Sequence, residues 1–301
     1  MVEHLSALNL DGIPDAPVSR LAPTPSGFLH LGNAVNFLVT WALVRHRKGH
    51  LHLRIDDMDG IRFRQDVLES IFQELDWLGL DWDTGPQSPD EFHRDFSLQA
   101  RRDVYMGGLE QLMAEGHAFA CACSRRMIKA ASTNGLYPGT CRSAGHAFEP
   151  GQNAVRLTVP SDAWVRVGET GFDLGGTFGD FVLWRRDDQP SYQLASLMED
   201  EAAGSNFIVR GADLLPSTAA QLYLADCFGY KRFPACTFRH HGLVMGGDGE
   251  KLSKSRGAYA LKDMRESGLG PEVAVRAAAP VLGIDPDGVA SAGDLVAAQG
   301  I

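Results

Sequence analysis

The segment that most constrains this chain is Pro23-Thr24-Pro25-Ser26-Gly27-Phe28-Leu29-His30-Leu31-Gly32-Asn33. Its prolines and first glycine force a turn. Before it, Val18 to Ala22 reads as a short strand. After it, Leu31 to Arg47 carries Leu31, Val35, Leu38, Val39 and Ala42 at helical spacing. Where a strand turns into a helix, free backbone N–H groups and the positive end of the helix dipole favour an anion. Gly27 and Gly32 let the backbone approach a ligand closely, and His30 is placed to donate to a phosphate oxygen.

Far downstream, Gly246-Gly247-Asp248-Gly249 leads into Lys251-Leu252-Ser253-Lys254-Ser255. Two lysines on a Gly-rich loop are by themselves mostly solvated charge. Paired with the helix-dipole site they suit a triphosphate attacked at its α-phosphate, with pyrophosphate leaving. Magnesium would neutralise the phosphates.

The rest of the pattern is α/β. Leu51 to Ile55 alternates like a strand, and Val67 to Leu78 and Leu98 to Glu115 read as amphipathic helices. A helix at Tyr192 to Glu201, a strand at Asn206 to Arg210, a helix at Ser217 to Phe228 and a strand near Thr237 to Val244 continue the alternation. This implies a Rossmann-like parallel sheet. Between His117 and about Pro190 the pattern breaks into short strands at Ala154 to Val159, Trp164 to Val167 and Phe181 to Trp184, as an insertion would. The tail from Pro271 to Gln299 is Ala-rich and reads as helical.

The apolar run around Phe37 to Val44 is too short to span a bilayer. Met1 to Asp15 has no basic region before an apolar stretch, so it is not a signal peptide. A cytoplasmic protein is expected. Of five cysteines, Cys121, Cys123 and Cys141 cluster, whereas Cys227 and Cys236 sit in core-like surroundings. In a cytosolic chain such a cluster favours metal over disulfides. On spacing alone, His117 or His146 is the natural fourth ligand. The net charge of -10 argues against general nucleic-acid binding. Yet Gly116 to Phe148 contains no acid while holding Arg125, Arg126, Lys129 and Arg142, which on charge alone suits either an RNA contact or a solvated basic loop.

His30 to Asn33 and Lys251 to Ser255 resemble the HIGH and KMSKS motifs of class I aminoacyl-tRNA synthetases. Arg20-Leu-Ala-Pro-Thr-Pro-Ser-Gly27, Arg54-Ile-Asp-Asp57 and Ile208-Val-Arg-Gly-Ala-Asp-Leu214 are similar to the glutamyl-tRNA synthetase group. The 46 residues after Ser255 are too few for that group's anticodon-binding domain. The chain therefore resembles the short glutamyl-queuosine tRNA(Asp) synthetase family, as do Gly135 to Arg142 and Asp180 to Asp187.

The resemblance implies a class I catalytic fold in two halves, 17–116 and 191–257, with a zinc-containing α+β insertion at 117–190 and a helical segment at 258–301. It implies that His30 and Lys254 are catalytic, and that His30, Gly32, Asn33, Lys251, Ser253 and Lys254 bind ATP. Arg20, Ala22, Thr24, Asp56, Tyr192 and Arg210 would bind glutamate; Asp56 and Thr24 stand where the family usually has Glu and Ser. A structural zinc would be held by Cys121, Cys123, Tyr137 and Cys141. The implied activity uses ATP with Mg2+ to form glutamyl-adenylate. Glutamate is then transferred to the queuosine base at the wobble position of tRNA(Asp), by a protein expected to be a monomer with no membrane partner. Two other readings suit the same motifs: a stand-alone amino-acid ligase with a small amine or carrier protein as acceptor, and an inactive binding-only paralogue.

Overall fold

The structure, a computed structural model, describes residues 7–132, 134–242 and 260–299. In chain order its elements are β1 (Val18–Leu21), α1 (Leu31–His46), β2 (His50–Leu53), α2 (Gln65–Trp77), α3 (Pro89–Glu91), α4 (Arg102–Ala114), β3 (Ala118–Cys121), α5 (Arg125–Ala131), β4 (Ala154–Leu157), β5 (Trp164–Val167), β6 (Thr170–Asp173), α6 (Leu174–Thr177), β7 (Val182–Trp184), α7 (Tyr192–Ala202), β8 (Phe207–Gly211), α8 (Leu215–Cys227), β9 (Thr237–His241), α9 (Leu261–Glu266), α10 (Glu272–Ala278) and α11 (Ala292–Ala297). They fall into two compact units, 1–98 with 205–214 and 236–301, and 99–204 with 215–235. The expected boundaries at 116 and 190 lie inside the second unit.

In the first unit, β1 pairs with β2 and β8 with β9, both in parallel. Asn206 stitches the two pairs. Its N–H donates to Val18 O at 3.0 Å, its Oδ1 accepts from Val18 N at 2.7 Å, and its O accepts from Thr237 N at 2.9 Å. Leu51, Leu53, Phe207 and Val209 face a core closed by Leu38, Val39 and Leu43 of α1 and Leu68, Ile71 and Leu75 of α2. Apolar residues on most sides of α1 explain why it is buried on most sides: α10 and α11 pack on it as well as the strands. The Ala-rich tail is not one helix. Pro280, which lacks an N–H, lies in a 3₁₀ turn that ends at Gly283 with φ 73°, and a second such turn starts at Pro286.

The second unit holds an antiparallel sheet ordered β3-β4-β7 and the hairpin β5–β6. The helix expected from Leu98 begins as a 3₁₀ turn over Leu98–Arg101 and is α-helical only from Arg102.

Candidate functional site

The turn after β1 is built by the chain beside it. Arg54 N–H donates to Leu21 O, and Asp56 N–H to Pro23 O, at 2.9 and 2.8 Å. This lays 54–56 along 21–23, so Arg20, Ala22, Thr24 and Asp56 gather where β1 and β2 end. Arg20 is buried and Thr24 exposed. Asp56 is not a lone carboxylate: Arg54 holds Oδ1 with Nε at 2.6 Å and Oδ2 with Nη2 at 3.2 Å. Sequence reasoning missed Arg54 as the holder of Asp56. The signal was there, since residues i and i+2 share one face of extended chain. Asp57 points the other way, is buried, and accepts from Ser97 Oγ at 2.5 Å and Leu98 N at 2.8 Å.

His30 is the N-cap of α1. Its Nδ1 accepts from Gly32 N at 3.1 Å while its own N–H donates to Asn33 Oδ1 at 3.0 Å. This reciprocal cap satisfies donors that a helix start leaves open. A ring nitrogen that accepts carries no proton, so the neutral imidazole keeps its proton on Nε2. Asn33 is thus a cap, and Gly32 is the floor under the ring.

Arg210 is buried on β8, opposite His240 of β9. Burial and the Arg210 charge push His240 down to about 4, so it is neutral at pH 7. Burial also lowers His241. Its Nδ1 lies 2.7 Å from Gly242 O and must donate there, leaving Nε2 to accept from Asn36 Nδ2 at 3.1 Å. Lys251, Ser253 and Lys254 lie outside the described residues. On the far side of them, Leu261 N–H donates to Leu29 O at 2.8 Å and Ala260 bridges to His30. The chain flanking the expected lysine loop is thus held at the first turns of α1 on both sides. Tyr192 belongs to the second unit, at the start of α7, 41% exposed and following the cap Ser191.

The second unit gathers the expected metal ligands. The thiol sulfurs of Cys121, Cys123 and Cys141 lie within 4.8 Å of one another, with 3.5 Å between Cys123 and Cys141. Tetrahedral zinc with Zn–S of about 2.3 Å sets sulfurs roughly 3.8 Å apart, so the cluster fits. Tyr137 Oη is 3.4 Å from Cys121 Sγ and 3.8 Å from Cys123 Sγ, and it accepts from Cys141 N at 2.9 Å. Gly139, at φ 77°, makes the turn that brings Tyr137 back over Cys141. Burial pushes the Cys141 thiol up, but hydrogen bonds from Tyr137, the Ala122 amide and Cys123 bring it down to about 6. Burial and its bonds to Cys121 and Cys141 raise Tyr137. Cys121, Cys123 and Cys141 are a group that could hold a metal ion. Among the described residues, neither His117 nor His146 joins the cluster, and His117 Nε2 instead lies 3.9 Å from Glu115. Of the basic island, Arg142 grips buried Asp180 at 2.6 and 2.7 Å, while Arg125, Arg126 and Lys129 are exposed on α5.

Parallel strands with a histidine-capped turn at their carboxyl ends suit the catalytic domain of a class I tRNA synthetase, and comparison with known proteins shows that class. The family described as tRNA synthetases class I (E and Q), catalytic domain, matches residues 18–292. The glutamyl-Q tRNA(Asp) synthetase of Symbiobacterium thermophilum is 37% identical over 85% of this chain and 83% of its own length. That of Pseudomonas putida KT2440 is 41% identical over 79% and 75%. The chain belongs to this glutamyl-Q tRNA(Asp) synthetase branch of the class I family, and is a ligase. It spans about half of longer relatives, matching 55% of the glutamate–tRNA ligase of Oleidesulfovibrio alaskensis at 36% identity. A solved glutamate–tRNA synthetase from Elizabethkingia anophelis shares the fold, with a TM-score of 0.74 at 22% identity over 95% of this chain and 66% of that one. Among the described residues no helix is long and apolar enough to cross a membrane.

Proposed function

We propose that this ligase activates glutamate with ATP and transfers it to the queuosine base of tRNA(Asp). The observation that supports the proposal is that Arg20, Ala22, Thr24 and Asp56 come together where the parallel strands β1 and β2 end, ahead of the His30 cap, with Arg210 near the end of β8; the carboxyl ends of strands are the usual ligand crevice of such sheets. A glutamate carboxylate oxygen attacks the α-phosphate, and pyrophosphate leaves. Arginines hold the carboxylate that does not react, Asp56 the α-ammonium, and Tyr192 orients the amino acid. His30, donating from Nε2, stabilises charge on the phosphate with Lys254, while Gly32, Asn33, Lys251 and Ser253 complete the ATP site. Mg2+ bound with ATP neutralises the triphosphate. A hydroxyl of the queuosine cyclopentenediol then attacks the acyl carbon, AMP leaves, and the proton passes to solvent.

In this reading 17–116 and 191–257 are the catalytic halves and 258–301 is a short helical segment. The insertion at 117–190 carries structural zinc on Cys121, Cys123, Tyr137 and Cys141, and Arg125, Arg126 and Lys129 meet RNA phosphates. The protein works as a cytoplasmic monomer. The test is ATP–pyrophosphate exchange with each amino acid, followed by transfer of labelled glutamate to tRNA(Asp) with and without queuosine. Exchange with glutamate alone, and transfer only to the queuosine-containing tRNA, is the expected result. Equal transfer to both tRNAs, or transfer to a small amine in their place, overturns it.

A further inference from the structure

The ring of Phe28, two residues before His30, lies among three segments of the first unit. Arg64, at the entrance to α2, stands 4.9 Å from its centroid, and Lys262, in the first turn of α9, 4.7 Å. A cation over an aromatic face is attracted by the ring quadrupole. Two cations about one ring would repel each other, but each has its own carboxylate. Arg64 pairs with Asp66, and Lys262 lies 3.8 Å from Glu266. Backbone bonds hold the same three segments: Arg64 N–H donates to Pro25 O at 2.9 Å, and Leu261 N–H to Leu29 O at 2.8 Å. The ring is partly buried against the main core, so it is anchored below as well.

We propose that Phe28 is a positioning residue for adenylate formation. Clasped by Arg64 and Lys262, it fixes how the chain enters α1, and so keeps His30 Nδ1 on the Gly32 amide with the ring proton on Nε2. Its π face, and not its bulk alone, performs this task. The inference rests on the proposed activity for its kinetic effect, but its effect on His30 is measurable without that activity.

The experiment compares wild type with Phe28→Leu, Phe28→Tyr and a chain carrying 3,4,5-trifluorophenylalanine at position 28, whose ring keeps its shape but loses its negative face. Glutamate-dependent ATP–pyrophosphate exchange gives kcat and KM for ATP, and ¹⁵N NMR of the His30 ring gives its tautomer. We expect kcat to fall about tenfold in the Leu and trifluorinated proteins with KM for ATP changed less than about twofold. Tyr should retain the wild-type rate, and His30 should become a mixture of tautomers only in the two impaired proteins. Wild-type exchange in the Leu and trifluorinated proteins, with His30 still protonated on Nε2, overturns the inference. If wild type itself shows no exchange, the activity is wrong, and the His30 tautomer alone decides the role of Phe28.

Discussion

A methyl group placed on Gly32 would stand 3.1 Å from both Nδ1 and Cε1 of His30. That is tighter than most side-chain carbons sit, so the ring must give by a few tenths of an ångström. Gly32→Ala should therefore slow adenylate formation between about tenfold and a hundredfold, because misplacement on that scale is enough to degrade transition-state contacts. Stability should hold or rise, since alanine is favoured over glycine in a helix by about 1 kcal/mol. Exchange kinetics beside a thermal melt separate the two effects. Loss of both together would mean that the glycine serves folding and not the histidine.

Arg54 and Asp56 form a bidentate pair whose side chains are 4% and 14% exposed. Removing one partner takes this buried fork from the other. Arg54→Ala should cost about 3 kcal/mol of stability, seen as a lowered urea midpoint. Asp56→Asn keeps the shape and loses the charge. It should raise KM for glutamate by about tenfold or more with a smaller change in kcat, the pattern expected of a group that binds substrate and transition state alike. An unchanged KM would remove Asp56 from the amino-acid site.

What was legible followed from local rules. The strand, turn and α1 around Pro23 to Asn33 declared themselves by prolines, glycine and apolar spacing, and the structure places them at Val18–Leu21 and Leu31–His46. The cysteine cluster was legible as a count of soft ligands. Tyr137 was not, because a phenol so rarely competes with histidine that spacing points to His117 or His146; only the turn at Gly139 brings it in. The fork from Arg54 to Asp56 was readable from their i, i+2 spacing, which puts both on one face of extended chain, and was missed. Thr170–Asp173 was missed because Thr-Gly-Phe-Asp has no apolar alternation, and its pairing with Trp164–Val167 supplies what its sequence lacks.

The cysteine cluster predicts one zinc per chain. Cys141→Ser and Cys121→Ser should abolish it, while Tyr137→Phe should keep three thiolates and bind at least about tenfold more weakly. Tyr137→Phe also leaves the Cys141 amide without its 2.9 Å acceptor, so part of the loss is structural. Elemental analysis of the purified proteins and competition with a chelator at fixed pH measure both. Full zinc retention in Cys141→Ser would exclude the cluster as the site.

Glu74 gives a pH dependence with a defined sign. It lies on α2 fully buried, accepting from Ser70 Oγ at 2.7 Å. Burial raises its carboxyl from 4.5 to about 7, against the opposing pull of Ser70, Arg265 and Lys262. Between those two values the folded chain holds a proton that the unfolded chain has released. Stability therefore increases as pH falls from about 7 towards 4.5, and decreases as it rises, by on the order of 3 kcal/mol in total. Above pH 7 the full penalty of a buried carboxylate is present. Glu74→Gln keeps an acceptor for Ser70 and cannot ionise. It should be more stable than wild type at pH 8, by on the order of a few kcal/mol, and nearly equal at pH 5. Taking the difference between variant and wild type at each pH cancels other titrating groups, including His240, whose depressed value works in the opposite sense. Urea unfolding of both proteins at intervals from pH 5 to 8.5 measures that difference, and a difference that does not change with pH would show that Glu74 is ionised throughout.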